Sequence, residues 1–242
     1  MAPFFTHIFA PFAASSSLGA LETSLVHESW QRAAKYAHKH AHIEVEFLAC
    51  ALPDDLGAVP SFARTAGNLT HYALDTGGHK LPTIGEIFAR GVAEGRGRYL
   101  VFTNADIGTQ EDFYERAHAL LAKDEKRVAP SSKASSGVSS SSSSSSSSLL
   151  SSTASLEVGE APWMALEFTR VQTAKLKAPA ATELKGRQAS SASITLDTVL
   201  SWKPIGRHPG HDCFVVPRHL VPPAMVASDS GLVAGMPPWG TM

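Results

Sequence analysis

The 242-residue sequence predicts an α/β domain built on a mostly parallel sheet with helices on both faces. Three observations carry this. Short apolar runs at 4–12, 43–52 and 98–103 have strand length. Stretches of roughly 3.6-residue period separate and follow them at 21–40, 81–95 and 110–123. The resulting order, strand and helix three times over, needs crossover connections, which favour parallel pairing.

Residues 4–12 alternate loosely and end at Pro11, which suits a short first strand. Small residues at 13–19 make a loop. Leu21, Leu25, Trp30, Ala33, Ala34 and Ala37 then repeat at helical spacing over 21–40, after Ser and Thr positions suited to capping. IEVEFLACAL at 43–52 is apolar enough for a buried second strand, which Pro53, Asp54, Asp55 and Gly57 end as a loop. Residues 61–74 suggest a short helix and an extended piece. Ile84, Ile87, Phe88 and Val92 make the next helix, with Pro82 near its first turn and Gly95 and Gly97 after its end. Residues 98–103 read as a strand and 110–123 as a helix.

Residues 131–155 are dominated by serine, with an unbroken run over 139–148. Such a stretch buries too little apolar surface to offset its ordering entropy and is predicted to be disordered. Order is expected again as a strand at 163–175, a loose loop at 178–193, a short helix or strand at 194–200, a turn running into a strand at 209–217, and a last apolar piece at 232–239. The expected divisions are 1–128, 129–160 as the serine-rich insertion, and 161–242.

Charged residues make up 18% and apolar residues 43% of the chain, and the net charge is −1 with histidines neutral. No basic excess points to nucleic acid, and no apolar run reaches the roughly 20 residues of a membrane span. The N-terminus lacks a basic n-region, so a first strand explains it better than a signal peptide. Cytoplasmic residence is expected, with the secretory-pathway lumen as the alternative. Cys50 and Cys213 lie outside any CxxC spacing and read as buried apolar residues. His38, His40 and His42 do not share a helix face and read as solvated. No GxGxxG or GxxxxGK[ST] follows a strand.

The best functional signal is YLVFTNADIGTQEDFY at 99–114. In open α/β sheets, ligands bind beyond the carboxyl ends of the strands. Asn104 and Asp106 follow the apolar Tyr99–Phe102 stretch, and in extended chain both would point to one side. An amide oxygen and a carboxylate suit Mg²⁺ or Mn²⁺ already carrying phosphate oxygens. The alternative is a turn or helix cap, although Thr109 or Gln110 would cap the following helix from closer by.

The TN-x-DI…FY pattern of Thr103–Tyr114 resembles nucleotide-diphospho-sugar transferases of the GT-A fold, and within them a glycosyltransferase-like group. Its companions are LP-x-I at Leu81–Ile84, HPG-x-DCF-x-x-PR at His208–Arg218 and G-x-PPWG at Gly235–Gly240. The four stand in the order of that group and span about 11–240, with the serine tract as a gap. The resemblance implies a GT-A-like sheet, with 1–128 as a nucleotide-sugar-binding half and 161–242 as an acceptor-side half. Relatives continue past PPWG, which implies truncation at the C-terminus. It implies transfer of a sugar from a nucleotide-diphosphate donor to an unknown acceptor, assisted by Mn²⁺ or Mg²⁺.

Residue by residue, the resemblance implies Asp106 as metal-coordinating carboxylate and Asn104 as a second ligand or a donor to ribose or sugar. Asp212 resembles the acidic residue that activates the acceptor hydroxyl; alternatively it caps a turn. His211 or His208 would contact diphosphate. Arg218 would neutralise phosphate or pair with a carboxylate. PPWG reads as an acceptor-side wall or a rigid core turn. The family's basic segment after the FY helix is missing, with Arg170 nearest to it, and Asn104 replaces the usual carboxylate. Both departures suit the alternative of an inactive GT-A-like nucleotide- or sugar-binding module.

Overall fold

The computed structural model describes residues 2–14, 16–75, 78–128, 195–197 and 213–221. The predicted serine-rich insertion, the elements expected at 163–193 and 232–239, and His208, His211, Asp212 and PPWG lie outside the described residues.

The described chain forms a five-stranded sheet of order β3-β2-β1-β6-β7. Its strands are β1 (Phe5–Phe9), β2 (Val45–Ala49), β3 (Arg64–Thr65), β6 (Tyr99–Thr103) and β7 (Cys213–Pro217). The β1, β2, β3 and β6 strands run parallel. Only β7 is antiparallel, with Tyr99 opposite Pro217 and Thr103 opposite Cys213. A separate hairpin of β4 (Tyr72–Leu74) and β5 (Lys80–Pro82) precedes α2 (Ile84–Glu94).

Strand period explains the layers. Ile8, Leu48, Leu100 and Phe102 point to one face and pack with Ile84, Ile87 and Phe88 of α2. Phe5, Phe9, Phe47, Val101 and Val215 point to the other, covered by α1 (Ser17–Ala41) and α3 (Phe113–Val128). Helices on both faces of a mostly parallel sheet are what the sequence predicts.

Local chemistry sets the ends of α1. Ser16 is extended, and its Oγ accepts the Gly19 N–H at 3.0 Å. At the far end His42 takes φ 54°, and Ile43 N donates to the Ala37 carbonyl at 3.2 Å. His38, His40 and His42 are exposed there, and His38 pairs with Glu44 at 2.9 Å.

The amino end of the sheet is tied through a carboxylate inside the apolar-looking second strand. Glu46 accepts from Thr6 Oγ1 at 2.9 Å, from the Arg96 backbone N–H at 2.9 Å, and from the Arg64 and Arg96 guanidinium groups. These bonds offset the cost of burying its charge. Gly97 passes against β1 so closely that a Cβ would stand 2.4 Å from Thr6 N. Among the described residues no helix is long and apolar enough to cross a membrane.

Candidate functional site

The chain leaves β1 through α1 to build β2 and β3 on one side, then returns to place β6 on the other. Strand order therefore reverses between β1 and β6. In open α/β sheets the crevice beyond the carboxyl ends at such a reversal is where ligands bind. Two described segments meet that crevice: 10–14, which follows β1, and 104–112, running from β6 into α3.

The 104–112 segment turns at once. Ile107 N donates to the Asn104 carbonyl at 3.1 Å, closing a four-residue turn. The chain is thus not extended from 104 to 106, and the expectation of a shared side does not hold. The Asn104 Oδ1 atom is buried, whereas Asp106 is exposed. Burial then alternates, with Ala105, Ile107 and Thr109 inside and Asp106, Gly108 and Gln110 outside.

Helix α1 pins this segment. Trp30 Nε1 donates to the Ile107 carbonyl at 2.8 Å, and Thr109 N donates to Ser29 Oγ at 2.9 Å. Ser29 Oγ in turn donates to the Val26 carbonyl at 2.7 Å. A Cβ on Gly108 would stand 3.1 Å from Ser29 Oγ, so a side chain there would press on the contact. Thr109 Oγ1 is buried with no partner among the described residues, so it does not cap α3. The helix begins at Phe113, whose N–H reaches the Gln110 carbonyl at 3.1 Å.

A second set of bonds holds the ends of the same segment. His7, in mid-β1, lies 2.6 Å through Nδ1 from the Tyr114 hydroxyl and 2.8 Å through Nε2 from Thr103 Oγ1. All three residues are 0% exposed. Burial pushes the His7 imidazole down to about 3 and the Tyr114 phenol well up, so the ring is neutral and the phenol protonated. Sequence reading missed His7; its signal was a polar residue at an inward position of an apolar strand.

The register of β7 separates two other predicted residues. Arg218 follows β7 at the amino end of β6: its N–H donates to the Arg98 carbonyl at 3.0 Å and its guanidinium to the Gly95 carbonyl. Five strand residues, roughly 16 Å at 3.3 Å each, lie between that end and Asn104. The expectation that Arg218 joins Asn104 and Asp106 is therefore corrected, because an antiparallel strand delivers its last residue to the opposite edge. Cys213, next in sequence to Asp212, stands opposite Thr103, next in sequence to Asn104.

Among the described residues no group of three or more His, Cys, Asp or Glu side chains converges. The exposed Asp106 carboxylate fits a Mg²⁺ or Mn²⁺ held largely by phosphate oxygens and water, which needs only one or two protein carboxylates. The buried Asn104 Oδ1 is not presented as a second ligand. The remaining rim is tied together: Ala13 N donates to Asp55 Oδ1 at 3.2 Å, and Lys80 Nζ reaches Asp54 at 2.6 Å while lying 5.1 Å from the Tyr72 ring centre.

No protein-family model matches this chain, and no curated protein matches it. Among solved structures, 4-diphosphocytidyl-2C-methyl-D-erythritol synthase from Anaerococcus prevotii DSM 20548 is similar over 49% of this chain and 52% of that one, with 13% identity and a TM-score of 0.31. The chain spans about half the length of that protein. At this TM-score the likeness adds nothing to what the geometry itself supports.

Proposed function

We propose that the chain binds a nucleotide-diphosphate sugar in the crevice between the carboxyl ends of β1 and β6 and transfers the sugar to an acceptor hydroxyl. The observation that carries this reading is the reversal of strand order at β1 and β6, with an exposed carboxylate on a firmly pinned loop beside it. The N-terminus of α1 faces the same crevice, because the helix runs back from the carboxyl end of β1. The positive dipole end of the helix favours a phosphate there.

In this reading Asp106 holds the divalent cation that neutralises charge gathering on the leaving diphosphate. Asp212 takes the proton of the acceptor hydroxyl as its oxygen bonds to the sugar and the bond to the diphosphate breaks. Thermal-shift titration with UDP, GDP and their sugars, with and without Mn²⁺, tests it. At least one nucleotide should raise the melting temperature more with Mn²⁺ than without. The Asp106→Ala protein should lose that increment. No response to any of these ligands would sink the proposal.

A second reading, a nucleotide- or sugar-binding module without turnover, is favoured by one observation: the turn buries the Asn104 oxygen and leaves Asp106 as the presented ligand. Binding that ignores Mn²⁺ and survives Asp106→Ala unchanged would select it.

A further inference from the structure

We infer that His7 is a positioning residue for the 104–112 loop: one buried imidazole joins the residue where the loop leaves the sheet to the residue where it enters α3, and so sets where Asp106 stands. Thr103 is the last residue of β6, and Tyr114 is the second of α3. They are eleven positions apart in sequence, and His7 reaches both from the neighbouring strand, at 2.8 and 2.6 Å.

An apolar side chain could fill this space at less cost. Burying an imidazole and two hydroxyls is tolerable only when each finds its partner. A neutral ring has one N–H donor and one bare acceptor nitrogen. One hydroxyl must therefore donate to the ring and the other accept from it. The set is satisfied only while both ends of the loop hold their distances from β1. Trp30 and Ser29 hold the middle of the loop, so His7 supplies what they cannot: fixed exit and entry points. The α2 helix packs on the opposite face of the sheet and shares none of these bonds.

That difference makes the inference testable by amide hydrogen exchange on the full chain. Tyr114→Phe and Thr103→Val each delete one hydroxyl with little change of shape. In each variant the Ile107 and Thr109 amides should exchange about tenfold faster relative to the Ile87 amide of α2 and the Gly95 amide that caps its end, as loss of a buried hydrogen bond confined to the loop would produce. A uniform loss of stability would speed both sets alike. If either variant leaves the loop-to-α2 ratio unchanged, the inference is overturned.

The consequence for ligand binding rests on the proposed nucleotide reading; the exchange result does not. In both variants the Mn²⁺-dependent thermal shift with nucleotide should shrink. A wild-type chain that binds no nucleotide would count against the nucleotide reading alone, since the exchange readout contains no ligand.

Discussion

His7 also gives the fold an acid sensitivity that can be read directly. Its imidazole is pushed down to about 3 by burial, from 6.5 in an unfolded chain. Between those values the unfolded state binds the extra proton, so stability falls as pH drops, by about 1.4 kcal/mol per unit. His27 is lowered by burial too and adds in the same direction. Denaturant melts should therefore show a loss of about 1.6 kcal/mol from His7 between pH 6.5 and 5, with His27 adding to it. His7→Phe should flatten that slope and leave the His27 share. Glu46 acts lower on the scale. Burial raises its pKa, but bonds from the Arg96 N–H, Thr6, Arg64 and the Arg96 side chain override this and leave it lowered. Its contribution is full above the ordinary carboxylate range and is lost as pH falls through it. Gly97 is a second residue-scale test. A methyl group there would meet Thr6 N at 2.4 Å and the Phe5 carbonyl carbon at 2.5 Å, both backbone atoms of a central strand. Gly97→Ala should cost about 3 kcal/mol in the same melts, at unchanged m-value.

At the scale of elements, α1 both covers a sheet face and holds the 104–112 loop. Trp30 does both jobs: its ring lies 4.7 Å from that of His7 and 4.8 Å from that of Phe9, while its indole N–H reaches the Ile107 carbonyl. Trp30→Phe should keep most of the packing and lose the bond, at about 1–2 kcal/mol. Nucleotide affinity should fall with it in the thermal-shift titration. The long elements were legible in the sequence because burial on one face leaves a helical period, as in Ile84, Ile87 and Phe88, and burial on both faces leaves a short, largely apolar run, as in the five buried residues of β1. Short, exposed pieces leave none: β3 and β4 hold Arg64, Thr65, Tyr72 and Leu74 facing solvent, and residues 61–74 read only as a short helix and an extended stretch. The candidate loop was legible as a place and not as a shape. TNAD looks extended to a period-2 reading, but the Asn104–Ile107 bond turns it. The partners of His7 and Glu46 lie up to 107 residues away, so no local pattern announces them.

At the scale of the whole molecule, β7 closes the sheet from far along the chain. It pairs with all five residues of β6 and brings Cys213, Val215 and Val216 into the two cores. Its direction decides which residues share the carboxyl end of β6: Cys213 stands beside Thr103, while Arg218 is carried to the amino end. The strand also decides whether the first part of the chain is self-sufficient. Without β7, the central β6 becomes an edge with unpaired N–H and carbonyl groups, and apolar surface on both faces is bared. Burying three such side chains contributes about 5 kcal/mol, comparable to the whole stability of a domain. A chain ending at Val128 is therefore expected to associate through its β6 edge rather than fold as a monomer. Size-exclusion chromatography with light scattering should show species larger than one chain, and adding a peptide of residues 213–221 should shift them toward a one-to-one complex. A monomeric 1–128 chain that unfolds cooperatively would show that β7 is an accessory to the sheet and not a part of its core.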